Sequence, residues 1–444
     1  MHSSSTSRVG ATLASFLFLA LPIQPQTFTV LHTFTGEQQD GASPYAGVTI
    51  DRAGNLYGTT AYGGSPGSPA CRYGPGCGTV FKLTHKNSTW ILDPLHSFAG
   101  GNDGADPGAG VIFGPDGSLY GTTAEGGSGG CSGDYGGCGT VFNLKPAVSA
   151  CKSAVCPWTE TVLYAFEGGT GGSAPGDLTF DQAGNIYGTA GGGIGKCDQG
   201  GDPCGLVYEL EHSSGGWTEN VIYRFTGSDG GTPASGVIFD DHGNLYGTTE
   251  VGGDLACDPP YGCGTVYQLT PSPSGWTERV LYSFSSEPNL VFPLSGLVFD
   301  SVGNLYGTTT GGGDGGGAVF ELSPSGNNWT FTTLYTFPLN TGGPYASLTM
   351  DAAGNLYGTT VYGGQPDCNG SFGCGNVFKL TPGNGGWTYT SLHNFTGLSD
   401  GGYPYAPVIL DANGNLYGTT PFGGTSYYCS AYGIGCGVVF EITP

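Results

Sequence analysis

The chain has 444 residues, of which 87 are glycine and only 10% are charged, and its net charge is −23 because it holds just 11 Lys and Arg. An aromatic content of 12% excludes a collagen-like or disordered chain, and the lack of a basic patch argues against binding to nucleic acid or an anionic membrane. The length exceeds what one hydrophobic core usually organises, so a modular architecture is expected.

The first residues resemble a secretory signal peptide. A polar stretch that contains Arg8 precedes an apolar run from Ala11 to Ile23, which is too short to span a bilayer. We assign residues 1–26 to this segment and leave the cleavage site open between Ala20 and Gln26. The segment predicts a secreted or periplasmic protein, and no later apolar run reaches the length of a membrane span.

One segment then recurs seven times, as Asp-Ala-Ala-Gly-Asn-Leu-Tyr-Gly-Thr-Thr or a close variant. Its tyrosines lie roughly 60 residues apart, which is typical of repeat architectures. They are Tyr57, Tyr120, Tyr187, Tyr246, Tyr306, Tyr357 and Tyr417. Each repeat contains four short runs rich in β-branched and aromatic residues and bounded by Gly, Pro, Asn or Asp, which predicts four antiparallel strands. In the fourth repeat these runs are 236–240, 244–249, 264–269 and 276–284.

The two ends of the repeat region complement each other. An unaccompanied fourth strand, Phe28–Phe34, precedes the first complete repeat, and the chain stops after a third strand, Gly437–Ile442. The N-terminal strand can therefore complete the last repeat. We predict an all-β fold for residues 27–444, a single seven-bladed β-propeller of four-stranded antiparallel blades closed by this strand. A β-solenoid is the alternative, but it would need no complementary ends.

The 14 cysteines fall into seven close pairs, six of which occupy the same place in the repeat. The fifth repeat lacks both members of its pair, as expected if each pair forms a local disulfide. The spacings do not fit a zinc site, and disulfides imply an oxidising compartment. The predicted bonds are Cys71–Cys77, Cys131–Cys138, Cys151–Cys156, Cys197–Cys204, Cys257–Cys263, Cys368–Cys374 and Cys429–Cys436.

Departures from the repeat are the candidates for function, and three of them are acidic. Asp177 replaces the Gly, Ser or Pro that begins the innermost strand of other repeats. Glu125 and Glu250 stand in loops between second and third strands, where other repeats have small or apolar residues. A group of acids near the mouth of the propeller channel would suit a sugar or a cation.

Aromatic residues at the bases of the same loops form a second candidate surface. Tyr62, Tyr362 and Phe422 each precede a Gly-Gly pair. Exposed aromatics beside Gly and Asp are typical of surfaces that bind glycans or proteins, although they also cover small cores under disulfide loops.

No pattern identifies a catalytic residue or a cofactor. A Ser-His-Asp arrangement, a nucleophile elbow and a phosphate-binding loop are all missing from the sequence. The Asp-Gly crossovers match no EF-hand, so no metal ligand is assigned and a weak Ca²⁺ site is the one metal left open.

The segments Gly-Asn-Leu-Tyr-Gly-Thr-Thr-x-x-Gly-Gly and Gly-Cys-Gly-Thr-Val-Phe-x-Leu resemble the bacterial GloVer (Gloeo/Verruco) tandem repeat family, over residues from about 28 to 444. The resemblance implies an exported repeat protein and carries over no catalytic residues.

We therefore expect an exported, monomeric binding or scaffold module, stapled by disulfides, whose ligand is a glycan or a protein. Two alternatives stay open: a secreted polysaccharide lyase or hydrolase that uses acids near the channel mouth, and a structural cell-surface or matrix protein. The sequence favours a role without catalysis.

Overall fold

The computed structural model describes residues 26–37, 39–64, 71, 76–131, 136–146, 158–192, 197, 204–233, 235–285, 290–312, 315–339, 341–364, 368, 372–426, 429 and 435–444. The signal-peptide segment up to residue 25 and the pair Cys151–Cys156 lie outside these residues. The described part contains β-strands and two 3₁₀ turns, Gly101–Asp103 and Gly169–Gly171, but no α-helix. It therefore offers no apolar helix long enough to cross a membrane.

Seven four-stranded antiparallel sheets follow one another along the chain and form the blades of a propeller. Blade 1 contains β2 (Thr49–Ile50), β3 (Leu56–Thr60), β4 (Thr79–Lys86) and β5 (Thr89–Ser97). Blade 2 contains β6 (Ile112–Phe113), β7 (Leu119–Thr123), β8 (Thr140–Lys145) and β9 (Thr159–Ala165). Blade 3 contains β10 (Leu178–Phe180), β11 (Ile186–Ala190), β12 (Leu206–Ser213) and β13 (Gly216–Arg224).

The remaining blades follow the same order from the innermost strand outwards. Blade 4 contains β14 (Ile238–Phe239), β15 (Leu245–Thr249), β16 (Thr265–Ser272) and β17 (Gly275–Ser283). Blade 5 contains β19 (Val298–Phe299), β20 (Leu305–Thr309), β22 (Gly315–Ser325) and β23 (Asn328–Pro338), beside a small ribbon of β18 (Leu290–Val291) and β21 (Gly311–Gly312). Blade 6 contains β24 (Thr349–Met350), β25 (Leu356–Thr360), β26 (Asn376–Gly383) and β27 (Gly386–Asn394). Blade 7 contains β28 (Ile409–Leu410), β29 (Leu416–Thr420), β30 (Val438–Thr443) and the N-terminal β1 (Thr27–Thr33).

The pairing of the first and last strands closes the ring. β1 runs antiparallel to β30, with Thr27 opposite Thr443 and Val30 opposite Phe440. The predicted seven-bladed propeller and its closure by the N-terminal strand are therefore confirmed. The ribbon of β18 and β21 was not predicted.

The turn between the two inner strands of a blade is built around one aspartate. In blade 4, Asp240 Oδ1 accepts from the amides of His242 and Asn244, while Oδ2 accepts from the Asn244 side chain at 2.7 Å and from the Tyr246 hydroxyl at 3.0 Å. Burial alone would raise the pKa of Asp240, but these bonds outweigh it, so the pKa lies below its usual value. The repeated Asp is thus a turn cap, as predicted, and it fixes the tyrosine of the next strand.

The glycine after each tyrosine makes room for a ring of the third strand. Gly58 lies opposite Phe81 in the ladder, and a Cβ at Gly58 would come within 2.7 Å of that ring. The same clash exists in every other blade, at Gly121, Gly188, Gly247, Gly307, Gly358 and Gly418. The tyrosine itself packs against the next blade, as Tyr57 does against Phe113 and Trp158. The predicted role of these aromatics in packing between blades is confirmed.

One threonine per blade joins that blade to the next. Its hydroxyl donates to a main-chain carbonyl two or three residues before the innermost strand of the next blade, over 2.7 to 3.3 Å. The pairs are Thr59–Ala109, Thr122–Gly176, Thr189–Ser235, Thr248–Ser295, Thr308–Ala346, Thr359–Ala406 and Thr419–Ala46. The last pair crosses from blade 7 to blade 1, so these bonds encircle the channel.

Six of the seven predicted disulfides lie in the described residues, and all six are formed: Cys71–Cys77, Cys131–Cys138, Cys197–Cys204, Cys257–Cys263, Cys368–Cys374 and Cys429–Cys436. Such bonds form and persist in oxidising compartments.

We expect Gly358→Ala to lower the free energy of unfolding by about 1–3 kcal/mol, because its Cβ would overlap the Phe378 ring in a closely packed blade. Guanidinium unfolding followed by tryptophan fluorescence measures this. Gly385→Ala is the control, since a Cβ at Gly385 meets nothing within 4 Å. Equal stability of the two variants would contradict the packing role of the repeated glycine.

We expect Asp240→Asn to lower the free energy of unfolding at pH 7 by about 1 kcal/mol, because it weakens the bonds to Asn244 and Tyr246. Because the folded-state pKa of Asp240 is depressed, its stabilisation is complete above the unfolded pKa and is lost as the pH falls below about 4. Melting temperatures of the wild type and variant should therefore converge between pH 7 and pH 3. The exposed Asp241 in the same turn supplies the control, Asp241→Asn, which should show no such convergence.

Candidate functional site

The crossovers between blades and the loops between second and third strands lie together on one face of the ring. Main-chain bridges connect them, for example Ala42 to Tyr62 in blade 1 and Gly402 to Phe422 in blade 7. The disulfides belong to the same loops, so we call this side the cysteine face. It is where the sequence analysis placed its aromatic candidates.

A central cavity of about 410 Å³ lies on the axis of the ring. The innermost strands approach it with one residue each: Gly47, Gly110, Asp177, Gly236, Gly296, Ser347 and Pro407. All of these except Gly236 line the cavity. Small residues at this ring leave the axis open, and the volume is within the range usual for small-molecule sites, ~300–1,000 Å³.

Asp177 is the one charged side chain among the described residues that line this cavity. Its carboxylate accepts a hydrogen bond from the Gly110 amide at 3.4 Å. A Cβ at Gly236 would come within 3.0 Å of the Asp177 Cβ, so the neighbouring blade leaves space for the carboxylate. The residue is exposed to the cavity while protein surrounds it. This enclosure raises the pKa of Asp177, and the Gly110 amide offsets part of the effect.

Three tyrosines form an arc around the same cavity. Tyr45, Tyr345 and Tyr405 belong to blades 1, 6 and 7, which are neighbours in the closed ring, and all three line the cavity. Tyr405 lies between the other two, with ring centroids 5.7 Å from Tyr45 and 5.5 Å from Tyr345. Burial, followed by the neighbouring tyrosines, raises the pKa of Tyr405 to about 12, so its hydroxyl stays protonated at neutral pH.

The aromatic residues predicted from the sequence lie beside this arc in the same three blades. Phe422 contacts Tyr45 and Tyr403, with centroids 5.9 Å apart in both cases. Tyr362 contacts Phe372 at 6.1 Å. Tyr62 packs against the core shared by blades 7 and 1 and does not line the central cavity.

The acidic candidates are dispersed rather than grouped. Glu125 and Glu250 do not line the central cavity, so the structure does not bring them to Asp177. Burial raises the pKa of Glu250. The pKa of Tyr345 is raised mainly by burial, then by Tyr362, and then by the charge of Glu250. Asp106 is a further half-buried acid that the sequence analysis missed, and burial raises its pKa to about 6.

The chemistry of this arrangement follows from its tyrosines and its one carboxyl group. Glycoside hydrolysis generally uses two carboxyl groups on either side of the bond, and the described lining of the cavity offers one. No group of three His, Cys, Asp or Glu side chains that could hold a metal ion occurs among the described residues. Three adjacent tyrosines, inclined to one another by 57° and 61°, and a single carboxyl group are chemically suited to a polyhydroxylated ring.

The tyrosine arc had a signal in the sequence that the repeat analysis did not use. Each of the three follows a crossover proline, in Pro44-Tyr45, Pro344-Tyr345 and Pro404-Tyr405. The corresponding residue in the sequence is Gly108, Ala234 or Leu294 in three other blades, and blade 3 is one residue shorter at this point. A comparison of this one position across the repeats would have found them.

Comparison with known proteins supports the family and the fold. The Gloeobacter/Verrucomicrobia repeat matches residues 5–258 and 256–444. No curated protein sequence matches the chain. A streptogramin B lyase structure is similar, with 12% identity and a TM-score of 0.52 over 94% of this chain and 97% of that one. A Bacteroides fragilis protein with a proposed 6-phosphogluconolactonase activity has 12% identity and a TM-score of 0.50, over 86% and 97% of the chains. At such identities the likeness concerns the fold alone.

Proposed function

This chain belongs to the Gloeobacter/Verrucomicrobia repeat family, and we propose that it is an exported module that binds a glycan at the channel mouth on the cysteine face. The arc of Tyr45, Tyr345 and Tyr405 around the central cavity is the observation that carries this proposal. Family membership alone assigns no ligand.

The chemistry of the cavity favours a sugar. The C–H faces of a pyranose pack on aromatic rings. Tyrosine also offers a hydroxyl group, which can bond to the hydroxyls of the sugar. The carboxyl group of Asp177 is exposed to the same cavity and, among the described residues, accepts one hydrogen bond, from Gly110, so its second oxygen can accept from ligand hydroxyls.

The shape of the site favours a glycan over a protein partner. A small, concave site buries most of a small ligand, whereas a stable protein–protein interface needs about 800 Å² from each partner. The six disulfides support export, since they are stable in the oxidising compartments where extracellular glycans occur.

We expect at least one of four hexasaccharides (malto-, cello-, xylo- or chito-) to bind the purified chain in isothermal titration calorimetry. Tyr405→Ala should weaken that binding about 10- to 100-fold, because it removes the central ring of the arc. Asp177→Asn should weaken it about fivefold through the loss of a charge-assisted hydrogen bond.

Tyr261→Ala is the matched control, because Tyr261 is an exposed tyrosine of a blade 4 loop that does not line the central cavity. Lack of binding to all four sugars would refute the proposal. The appearance of new reducing or unsaturated ends during incubation would replace it with the lyase or hydrolase alternative.

A further inference from the structure

Blade 5 lacks a disulfide, and the structure shows what stands in its place. In the six other blades, the carbonyl of the second cysteine accepts a hydrogen bond from the residue before the crossover proline. These bonds are Ser43–Cys436, Asp106–Cys77, Ala174–Cys138, Thr232–Cys204, Phe292–Cys263 and Tyr403–Cys374. After blade 5 the Gly343 amide donates to the Gly316 carbonyl at 2.8 Å. Gly316 therefore holds the position of the second cysteine.

A cavity of about 280 Å³ lies at this position. Its floor is formed by Gly315, Gly316, Gly342 and Gly343, and its walls by Thr310 and the rings of Tyr345, Tyr362 and Phe372. We call this cavity the notch. Elsewhere a disulfide packs on the crossover, as Cys368–Cys374 does on Gly397, whose Cβ would lie 2.6 Å from both sulfur atoms.

A second departure from the repeat keeps the notch open. The residue before the crossover proline has a positive φ in every blade, and six blades place a side chain there, with φ between 45° and 60°. Blade 6 has Gly343 instead, with φ of 76°. A Cβ at Gly343 would lie 3.1 Å from Tyr362 and 3.3 Å from Tyr345, so the glycine lets both rings approach the notch.

The walls of the notch are more exposed than a packed core would leave them. Phe372 is 52% exposed and Tyr362 is 36% exposed, although both are aromatic. Leu339, whose side chain packs near Gly315, is 63% exposed. Three exposed apolar side chains grouped beside one cavity favour a binding surface at this place.

We infer that the notch is a second subsite, which holds one uncharged pyranose ring of the glycan whose other residues occupy the central cavity. The inference rests on the proposed function. Tyr345 lines both cavities, so the two sites adjoin at this ring, and the inferred glycan would bridge them there.

The chemistry of the described lining residues selects this occupant. None of them is charged, which suits a neutral ligand better than a uronic acid or an amine. The hydroxyls of Thr310, Tyr345 and Tyr362 and the main chain of the glycine floor provide polar partners, which an alkyl chain would leave unused.

The test compares a short and a long ligand of the sugar series that binds. A disaccharide occupies the central cavity alone, whereas the hexasaccharide also reaches the notch. Gly343→Ser places a side chain in the notch, and Ser43 shows that the same backbone position accepts serine in blade 1. In titration calorimetry, Gly343→Ser and Phe372→Ala should each weaken hexasaccharide binding about 5- to 10-fold and change disaccharide binding less than twofold.

Two matched variants control for effects on the fold. Ser43→Ala changes the equivalent crossover position of blade 1, and Tyr261→Ala removes the ring that precedes Gly-Cys in blade 4, as Phe372 does in blade 6. Neither should change the binding of either sugar, and all four variants should keep the wild-type melting temperature within a few degrees. Leu339→Ala adds a variant at the rim of the notch, with an expected loss for the hexasaccharide alone.

The outcomes separate this inference from the proposed function. If the hexasaccharide binds with a dependence on Tyr405 but not on Gly343, Phe372 or Leu339, the notch is not a subsite while the glycan-binding function stands. If neither sugar length binds, both fail. Loss of disaccharide and hexasaccharide binding to the same extent in Gly343→Ser and Phe372→Ala would also overturn the subsite, because it would show one shared site.

Discussion

A ring of threonine hydroxyls around the channel is the constraint on which the rest of this structure depends. Each donates to a main-chain carbonyl of the next blade, and the bond from Thr419 to Ala46 completes the circuit. Five of the seven bonds are buried and two are partly buried, so a blade that shifted would leave polar groups without a partner between the blades. The carbonyl that accepts each bond belongs to the residue directly before the one that faces the axis. The threonine bonds therefore fix how close the axis-facing residues lie to one another, and so the width of the central cavity.

Every other side chain of the repeated Leu-Tyr-Gly-Thr-Thr segment is also engaged in the fold. In blade 1, Leu56 is fully buried, Tyr57 bonds to the turn aspartate Asp51, and Thr60 pairs with Thr79 at 2.8 Å. These contacts explain why the architecture could be predicted. Because nearly every side chain of the segment contacts the fold, each copy of the segment requires the same neighbours around it. It also explains why the segment itself carries no site.

The candidate site was less predictable, because it depends on closure of the ring. Tyr45 and Tyr405 are separated by almost the whole chain, and they become neighbours only when β1 pairs with β30. Asp177 could be found because it breaks a column of small residues, but its distance from Glu125 and Glu250 could not be obtained from the sequence. The predicted acid group and the observed single carboxyl in the cavity differ for this reason.

The lining of the central cavity has an aromatic half and a half with one carboxyl group, which the sevenfold fold does not require. Blades 6, 7 and 1 supply the tyrosine arc, while Asp177 comes from blade 3. Blade 5 lies between these halves, and there the disulfide is replaced by longer pairing: β22 and β23 have 11 residues each, and β18 pairs with β21. Added main-chain hydrogen bonds compensate for the missing cross-link without filling its place. The longer strands therefore keep this end of blade 5 paired while the place of the disulfide stays open as the notch.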